Sequence, residues 1–314
     1  MRKAQTGGTM EYLLLLAGFV LLIKGADFFV EGSSSIAKAL KIPSIVIGLT
    51  LVSLGTSAPE AAVSITAAFN GSSDISLGNV IGSNIFNLLT VIGCAAIIRP
   101  IDSPKEIVKR DLWWNLGITG LLFLMIFDKS ISRWNGLILL AGMVIYFFIV
   151  VKRAMENRLE ETPMEVMPIP KSIVYVILGL AAVIIGGQLV VNNASIIARS
   201  LGMSDALVGL TIVAIGTSLP ELVTSVMAAR KGEPGIALGN AVGSCLFNIM
   251  FILGATSTLT PIHVADDLLT DTLILIAVSL IVMIFVITGK KTKRWEGVTC
   301  LVCYVAYTAF IIMR

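Results

Sequence analysis

The sequence is short of charge. Of its 314 residues only 14% are Asp, Glu, Lys or Arg, against 56% that are apolar, and mean hydropathy is +0.93. A soluble globular chain carries nearer ~25% charged residues. Too few charges exist here to cover a water-facing surface, so a pair of soluble domains is excluded. Histidine is reduced to His263, which lies beside Asp266 and Asp267 and reads as solvated. With no HExxH pattern and no nucleophile–base pair, an enzyme is not expected. Cys94, Cys245, Cys300 and Cys303 fall in apolar stretches without a repeating spacing, and read as small apolar helix residues rather than a disulfide framework. The net charge of +3 does not indicate nucleic acid, because the basic residues sort by side of a membrane.

What the chain has in quantity is apolar runs of helix-spanning length, ~17–25 residues. Ten candidates occur, at 11–30, 43–69, 75–98, 112–127, 134–151, 172–192, 205–229, 236–258, 270–289 and 295–313. The second and seventh are long and interrupted by Gly and Pro, so each reads as a broken helix. No soluble domain fits anywhere, and the polar, Pro-containing stretch 152–171 reads as a linker. The first nine residues form an N-terminal extension, and a cleaved signal peptide is not expected, because Lys24 and Asp27 interrupt the first run. Counting loop Lys and Arg with the loops numbered alternately gives six on the side of the N-terminus and sixteen on the other. The positive-inside bias then predicts a multi-pass protein of the cell membrane with both termini outside and the 152–171 linker in the cytoplasm.

The chain is written twice. Residues 48–93 (GLTLVSLGTSAPE to GNVIGSNIFNLLTVIG) align with 209–254 (GLTIVAIGTSLPE to GNAVGSCLFNIMFILG) at a constant offset of 161, with 22 of 46 positions identical. Five spans per copy is an odd number, so the second copy enters the membrane from the opposite side. The expected fold is all-α and integral to the membrane: ten transmembrane helices as two inverted five-helix repeats, 10–151 and 172–314. Inverted repeats with interrupted helices are the architecture of secondary transporters, whose substrate sites lie near the midplane. Packing alone would explain the paired glycines but not paired carboxylates.

Glu60 and Glu221 are repeat mates deep inside their spans. An ionised carboxylate at the bilayer centre costs ~2.5–3.5 kcal/mol even on the mild insertion scale, and no Lys or Arg lies in the repeat cores to neutralise them. The counter-charge is expected to be a bound cation or protons. Thr56 and Glu60 are spaced i, i+4, as are Ser83 and Asn87, so each pair shares a helix face; Thr217/Glu221 and Ser244/Asn248 repeat the arrangement. Pro59 and Pro220 lack an N–H, which is expected to free carbonyls around Ser53–Thr56 and Ala214–Thr217. All the donors on offer are hard oxygens, which suit Ca²⁺, Na⁺ or, less well, Mg²⁺, and not zinc or copper.

GTSAPE at 55–60 and GTSLPE at 216–221, each followed by GN-x-x-GS-x-x-FN, resemble the two α-repeats of the sodium/calcium exchanger family. The resemblance implies Na⁺-driven Ca²⁺ transport by alternating access, in which the first and sixth helices slide across a core that carries the ions. It implies that Glu60 and Glu221 are the central cation ligands, with Thr56 and Thr217 binding calcium through their carbonyls. Ser57, Ser83, Ser218 and Ser244 resemble hydroxyl ligands of flanking Na⁺ sites, and Ala214 a carbonyl ligand of one. Ser53 stands where its mate is Ala214, so the halves are not chemically equal. Asn87 and Asn248 match the central amide positions. Some relatives place an Asp at one of these two positions, and Asn at both argues against K⁺ co-transport.

The function expected is therefore a Na⁺/Ca²⁺ antiporter with no cofactor beyond its transported ions. A single chain in its lipid is expected to suffice. The resemblance implies roughly three Na⁺ per Ca²⁺, so that one net charge, worth ~2.3 kcal/mol per 100 mV, crosses per cycle. Coupling to H⁺ is the alternative; hydroxyl-rich flanking sites favour Na⁺, since a proton needs no such coordination. A cation channel is a third reading, opposed by the closed midplane site. The 152–171 stretch has no EF-hand-like pattern, and its Glu156, Glu160, Glu161 and Glu165 read as a solvated linker.

Overall fold

Helix-spanning runs become helices, and Gly-Pro interruptions become breaks. The computed structural model describes residues 9–70, 73–102, 107–156, 167–203, 214–289 and 291–313. Its first half comprises α1 (Thr9–Ala39), α2 (Ser44–Thr56), α3 (Ala58–Phe69), α4 (Ile75–Ile98), α5 (Leu112–Met125) and α6 (Arg133–Glu156). The second half repeats the order as α7 (Ile169–Ser200), α8 (Ala214–Thr217), α9 (Leu219–Arg230), α10 (Pro234–Leu259), α11 (Asp266–Thr288) and α12 (Arg294–Met313). Among the described residues seven helices are long and apolar enough to cross a membrane, and an eighth crossing results if α2 and α3, bent by 46° at Ser57, are taken as one span. Of the two remaining predicted spans, 112–127 appears as the 14-residue α5, preceded by a π-helical turn at Ile107–Asp111. The other, 205–229, begins on residues 204–213, outside the described residues.

Several helices outrun their apolar stretches. The predicted linker loses both its ends to helix: Lys152–Glu156 complete α6 and Ile169–Lys171 open α7, while 157–166 lie outside the described residues. Pro170 sits in the first turn of α7, where its fixed φ suits a helix start and its missing N–H loses nothing.

Internal symmetry extends to the smallest elements. Ile101–Asp102 (β1) pairs antiparallel with Lys291–Thr292 (β4), and Ser130–Ile131 (β2) with Ile262–His263 (β3). The 161 offset carries β1 onto β3 and β2 onto β4, so each ribbon joins the two halves. Lys41 and Gly202, also 161 apart, both take positive φ (57° and 93°) as the chain leaves α1 and α7.

Two layers of different burial result. The most apolar windows of α4 and α10 are 78% and 94% buried, whereas that of α12 is only 17% buried and presents its sides to lipid. The long helices α1 and α7 cross antiparallel at two glycine pairs. A Cβ on Gly25 would stand 2.9 Å from the Gly179 carbonyl oxygen, and one on Gly18 would stand 3.0 Å from that of Gly186. Only residues without side chains permit that approach, the packing typical of membrane helices.

Candidate cation-binding site

The break between α2 and α3 places Glu60 in the first turn of a new helix. Pro59 supplies no N–H, so the Gly55 carbonyl lacks its usual donor four residues on; Pro220 does the same for Gly216. α3 and α9 start with Pro in the first turn and Glu immediately after, and both glutamates are fully buried. The breaks are not identical: the Ser57 N–H donates to the Ser53 carbonyl at 3.1 Å, while that of Ser218 donates to Ile215 at 3.2 Å. The expected free carbonyl at Ser53 is thus occupied, because the helix continues one residue further before it bends. The Ser53 hydroxyl also donates within its own helix, to Leu49 O at 2.9 Å. The side chain of Ala214 lies outside what is described.

The halves meet by exchanging hydrogen bonds. Ser57 Oγ donates to Glu221 Oε1 at 2.8 Å, and Ser218 Oγ donates to Glu60 Oε1, also at 2.8 Å. Ser83 Oγ stands 3.1 Å from Ser218 Oγ, and Ser244 Oγ 3.5 Å from Glu221 Oε1. Thr217 is a hydrogen-bond partner of the Glu60 carboxyl. A serine hydroxyl that donates to a carboxylate keeps its lone pairs, so each can bridge a carboxylate to a cation.

The remaining oxygens are buried without partners. Glu60 Oε2, Glu221 Oε2, Asn87 Oδ1 and Asn248 Oδ1 have no hydrogen-bond donor among the described residues, and no ion pair there involves either glutamate. Buried acceptors left unpaired are costly, and these four, two on the carboxylates and two on the amides, are all hard oxygens of the kind that can ligate a cation. Asn87 and Asn248 each open a π-helical turn, Asn87–Val91 and Asn248–Leu253; such turns recur at functional sites because they interrupt the regular ladder.

Around this centre lies a second set of residues that the motif reading did not single out as ligands. Asn79 Nδ2 donates to Ser64 Oγ (3.1 Å) and to the Glu60 carbonyl (3.4 Å); Asn240 Nδ2 donates to Ser225 Oγ (2.9 Å) and to the Glu221 carbonyl (3.3 Å). Thr56 Oγ1 donates to Asn240 Oδ1 at 3.0 Å. The signal was present in the identity of Ser64/Ser225 and Asn79/Asn240 across the repeat. Asn84 was not signalled, since its mate is Cys245; it donates to the Cys245 carbonyl (3.1 Å) and accepts from Asn248 Nδ2 (3.0 Å). All four cysteines are free thiols, and His263 is exposed on β3.

Comparison with known proteins points one way. The family described as sodium/calcium exchanger protein matches the chain twice, over residues 10–152 and 171–313. The chain is similar to the sodium/calcium exchanger MaX1 of Methanosarcina acetivorans, at 37% identity over 95% of this chain and 97% of that protein. It is also similar to the putative antiporter CaxA of Alkalimonas amylolytica, at 40% identity over 94% and 96%. Among solved structures it is similar to the sodium-calcium exchanger NCX_Mj, with a TM-score of 0.86 and 33% identity over 96% of this chain and 99% of that one.

Proposed function

The chain belongs to the sodium/calcium exchanger family, whose members are membrane transporters rather than enzymes, and from that premise we propose that it is a secondary antiporter exchanging Na⁺ for Ca²⁺ by alternating access. The observation that carries this reading is the pair of unpartnered Oε2 atoms on Glu60 and Glu221, beside the reciprocal serine bonds. Two carboxylates hold −2, which one Ca²⁺ balances in full. Ca²⁺ takes ~6–8 oxygens. The glutamates, the carbonyls of Thr56 and Thr217 and the amide oxygens of Asn87 and Asn248 supply that number. Ser57, Ser83, Ser218 and Ser244, together with the carbonyl of Ala214, provide for Na⁺, and Ser53 contributes from the first copy.

Because Ser57 and Ser218 touch the same carboxylates that calcium uses, Na⁺ and Ca²⁺ compete for shared oxygens, and one must leave before the other binds. That competition is what converts two binding reactions into exchange. We further assign five membrane crossings to each half, with α5 and the α8–α9 break completing the count. The face carrying Lys38, Arg99, Lys231 and Lys291 is placed in the cytoplasm, as the positive-inside bias requires. One chain in its lipid forms the working unit.

The test is ⁴⁵Ca²⁺ uptake into proteoliposomes loaded with Na⁺, against matched vesicles holding choline and a pH gradient. The expected result is uptake that requires internal Na⁺ and rises with a positive-inside potential. Uptake driven by the pH gradient alone would move the protein to H⁺ coupling. Flux that ignores both counter-ions would make it a channel.

A further inference from the structure

On one face of the molecule α1 is tied to the turn between α9 and α10 by charge. Lys231 Nζ lies 2.8 Å from Asp27 Oδ1 and 3.0 Å from Glu31 Oε2. Lys38 Nζ lies 3.3 Å from Glu233 Oε1, which also accepts a hydrogen bond from Ser34 Oγ. Burial alone would lower the Lys231 pKa, but its hydrogen bonds to Asp27 and Glu31 outweigh that and hold it above the usual range. Glu31, Ser34, Lys38, Lys231 and Glu233 line a cavity of about 410 Å³ between α1, Met167 and the turn.

The internal repeat says what should stand on the opposite face. Adding or subtracting 161 converts Asp27 to Gln188, Glu31 to Asn192, Lys231 to Asn70 and Glu233 to Ser72. Lys231 and the three carboxylates around the turn thus all have neutral mates, and only Lys38 maps onto a charged residue, Arg199, whose counterpart acid is lost because Glu233 maps onto Ser72. In a protein built from inverted repeats, the alternate arrangement is reached when the halves exchange conformations. It would make the equivalent contact between α7 and the α3–α4 turn, through Gln188, Asn192 and Asn70. The Lys231 contact to α1 is therefore made by ion pairs in one arrangement and would be made by amides alone in its counterpart.

We propose that Lys231, with Asp27 and Glu31, is a positioning element that biases the transport cycle toward the arrangement in which α1 rests on the α9–α10 turn. This rests on the alternating-access reading above. The three side chains lie outside the central cation site and act through α1. Their effect is on the population of the two arrangements, hence on the ratio of half-saturating Ca²⁺ concentrations at the two faces, and not on the chemistry of coordination. Partly exposed pairs of this kind each shift an equilibrium about 1.4- to 5-fold, and the shift diminishes with salt.

The test uses the full-length reconstituted protein. In Lys231→Met, amides of residues 30–41 should exchange deuterium several-fold faster than in the parent, and the two-face ratio of half-saturating Ca²⁺ should move by the same factor, with maximal flux retained. Asp27→Asn with Glu31→Gln should give the same shift, and combining it with Lys231→Met should add nothing. Installing Asn70→Lys, Gln188→Asp and Asn192→Glu together, with the original cluster kept, should move the ratio in the same sense as Lys231→Met, because the opposite face gains its own clamp. Unchanged deuterium exchange and an unchanged ratio in folded Lys231→Met would overturn the proposal, as would additive effects in the combined variant. If the parent shows no Na⁺-dependent Ca²⁺ flux, the transport reading fails, while the deuterium exchange of residues 30–41 still decides whether the clamp holds α1.

Discussion

Ser57, in the first copy of the repeat, donates a 2.8 Å hydrogen bond to Glu221, the buried carboxylate of the second. The return bond, Ser218 to Glu60, has the same length. Neither carboxylate is therefore the property of one half, and a movement of the halves relative to each other is felt at both.

Removing one of these hydroxyls should affect stability and Na⁺ together. Ser57→Ala removes the shorter of the two serine contacts to Glu221 Oε1 and leaves the 3.5 Å contact to Ser244. A buried acceptor deprived of its donor costs about 1–3 kcal/mol. The expected outcome is a lower melting temperature and a roughly tenfold weaker apparent Na⁺ affinity (about 1.4 kcal/mol), with a smaller change for Ca²⁺. Na⁺ titration of ⁴⁵Ca²⁺ efflux measures the second effect, and Ser218→Ala should mirror it from the other half.

Glu60→Gln and Glu221→Gln should each abolish exchange without unfolding the protein. Glutamine keeps the acceptor for the partner serine and the side-chain volume but removes the charge that recruits a cation. Since burying an unneutralised carboxylate is itself unfavourable, the ion-free variants should melt no lower than the parent. Robust exchange in either variant would overturn the site assignment.

How far the sequence anticipates this depends on whether a feature is local. The two broken spans and the buried glutamates follow from spacing, Pro and Gly within a few residues, and both are visible in the repeat; the helix face expected to carry Thr56 with Glu60, and Thr217 with Glu221, is not kept, because the breaks at Ser57 and Ser218 put the members of each pair on different helices. Which serine meets which glutamate is not visible there, because the offset of 161 relates copies without saying how they interlock. The polar extension of α1 was invisible for a similar reason. Ser33, Ser34 and Ser35 lie beyond the apolar run at 11–30, yet they are helical and buried, and Ser35 accepts a 3.0 Å hydrogen bond from Ser172 on α7. The two-residue strands and the bond between Asn248 and Asn84 depend on segments far apart in sequence, and nothing near them announces the pairing.

The α1–α7 crossing should tolerate no side chain. In Gly25→Leu the new Cβ would fall 2.8 Å from Ala182 Cβ and 2.9 Å from a backbone carbonyl oxygen, which cannot yield as a flexible side chain would. Overpacking of this kind costs about 1–3 kcal/mol. Exchange should slow as well, because these two helices are the ones proposed to move. Gly117→Ala on α5 is the control: among the described residues no heavy atom stands within 4 Å of the added Cβ. It should be neutral or stabilising by roughly 0.5–1 kcal/mol. Melting temperature and initial exchange rate of the two variants, measured side by side, check this contrast.

Charge at the centre sets what must accompany the transported ions, and Asn248 is the place to change it. Its Oδ1 is buried with no donor among the described residues, while its Nδ2 donates to Asn84 Oδ1 at 3.0 Å. Asn248→Asp turns that amide into a third carboxylate and sets two acceptors, its own oxygen and Asn84 Oδ1, against each other. The amide of Asn84 can relieve the clash only by giving up its 3.1 Å bond to the Cys245 carbonyl. The added negative charge needs a cation in every loaded state, so one Ca²⁺ no longer balances the site. Exchange in Asn248→Asp should therefore weaken at neutral pH and recover when a proton or a second monovalent ion fills the deficit. Measuring ⁴⁵Ca²⁺ uptake across pH, with and without external K⁺, separates the two. Uptake that remains as fast as in the parent and indifferent to both would mean that residue 248 does not face the ions.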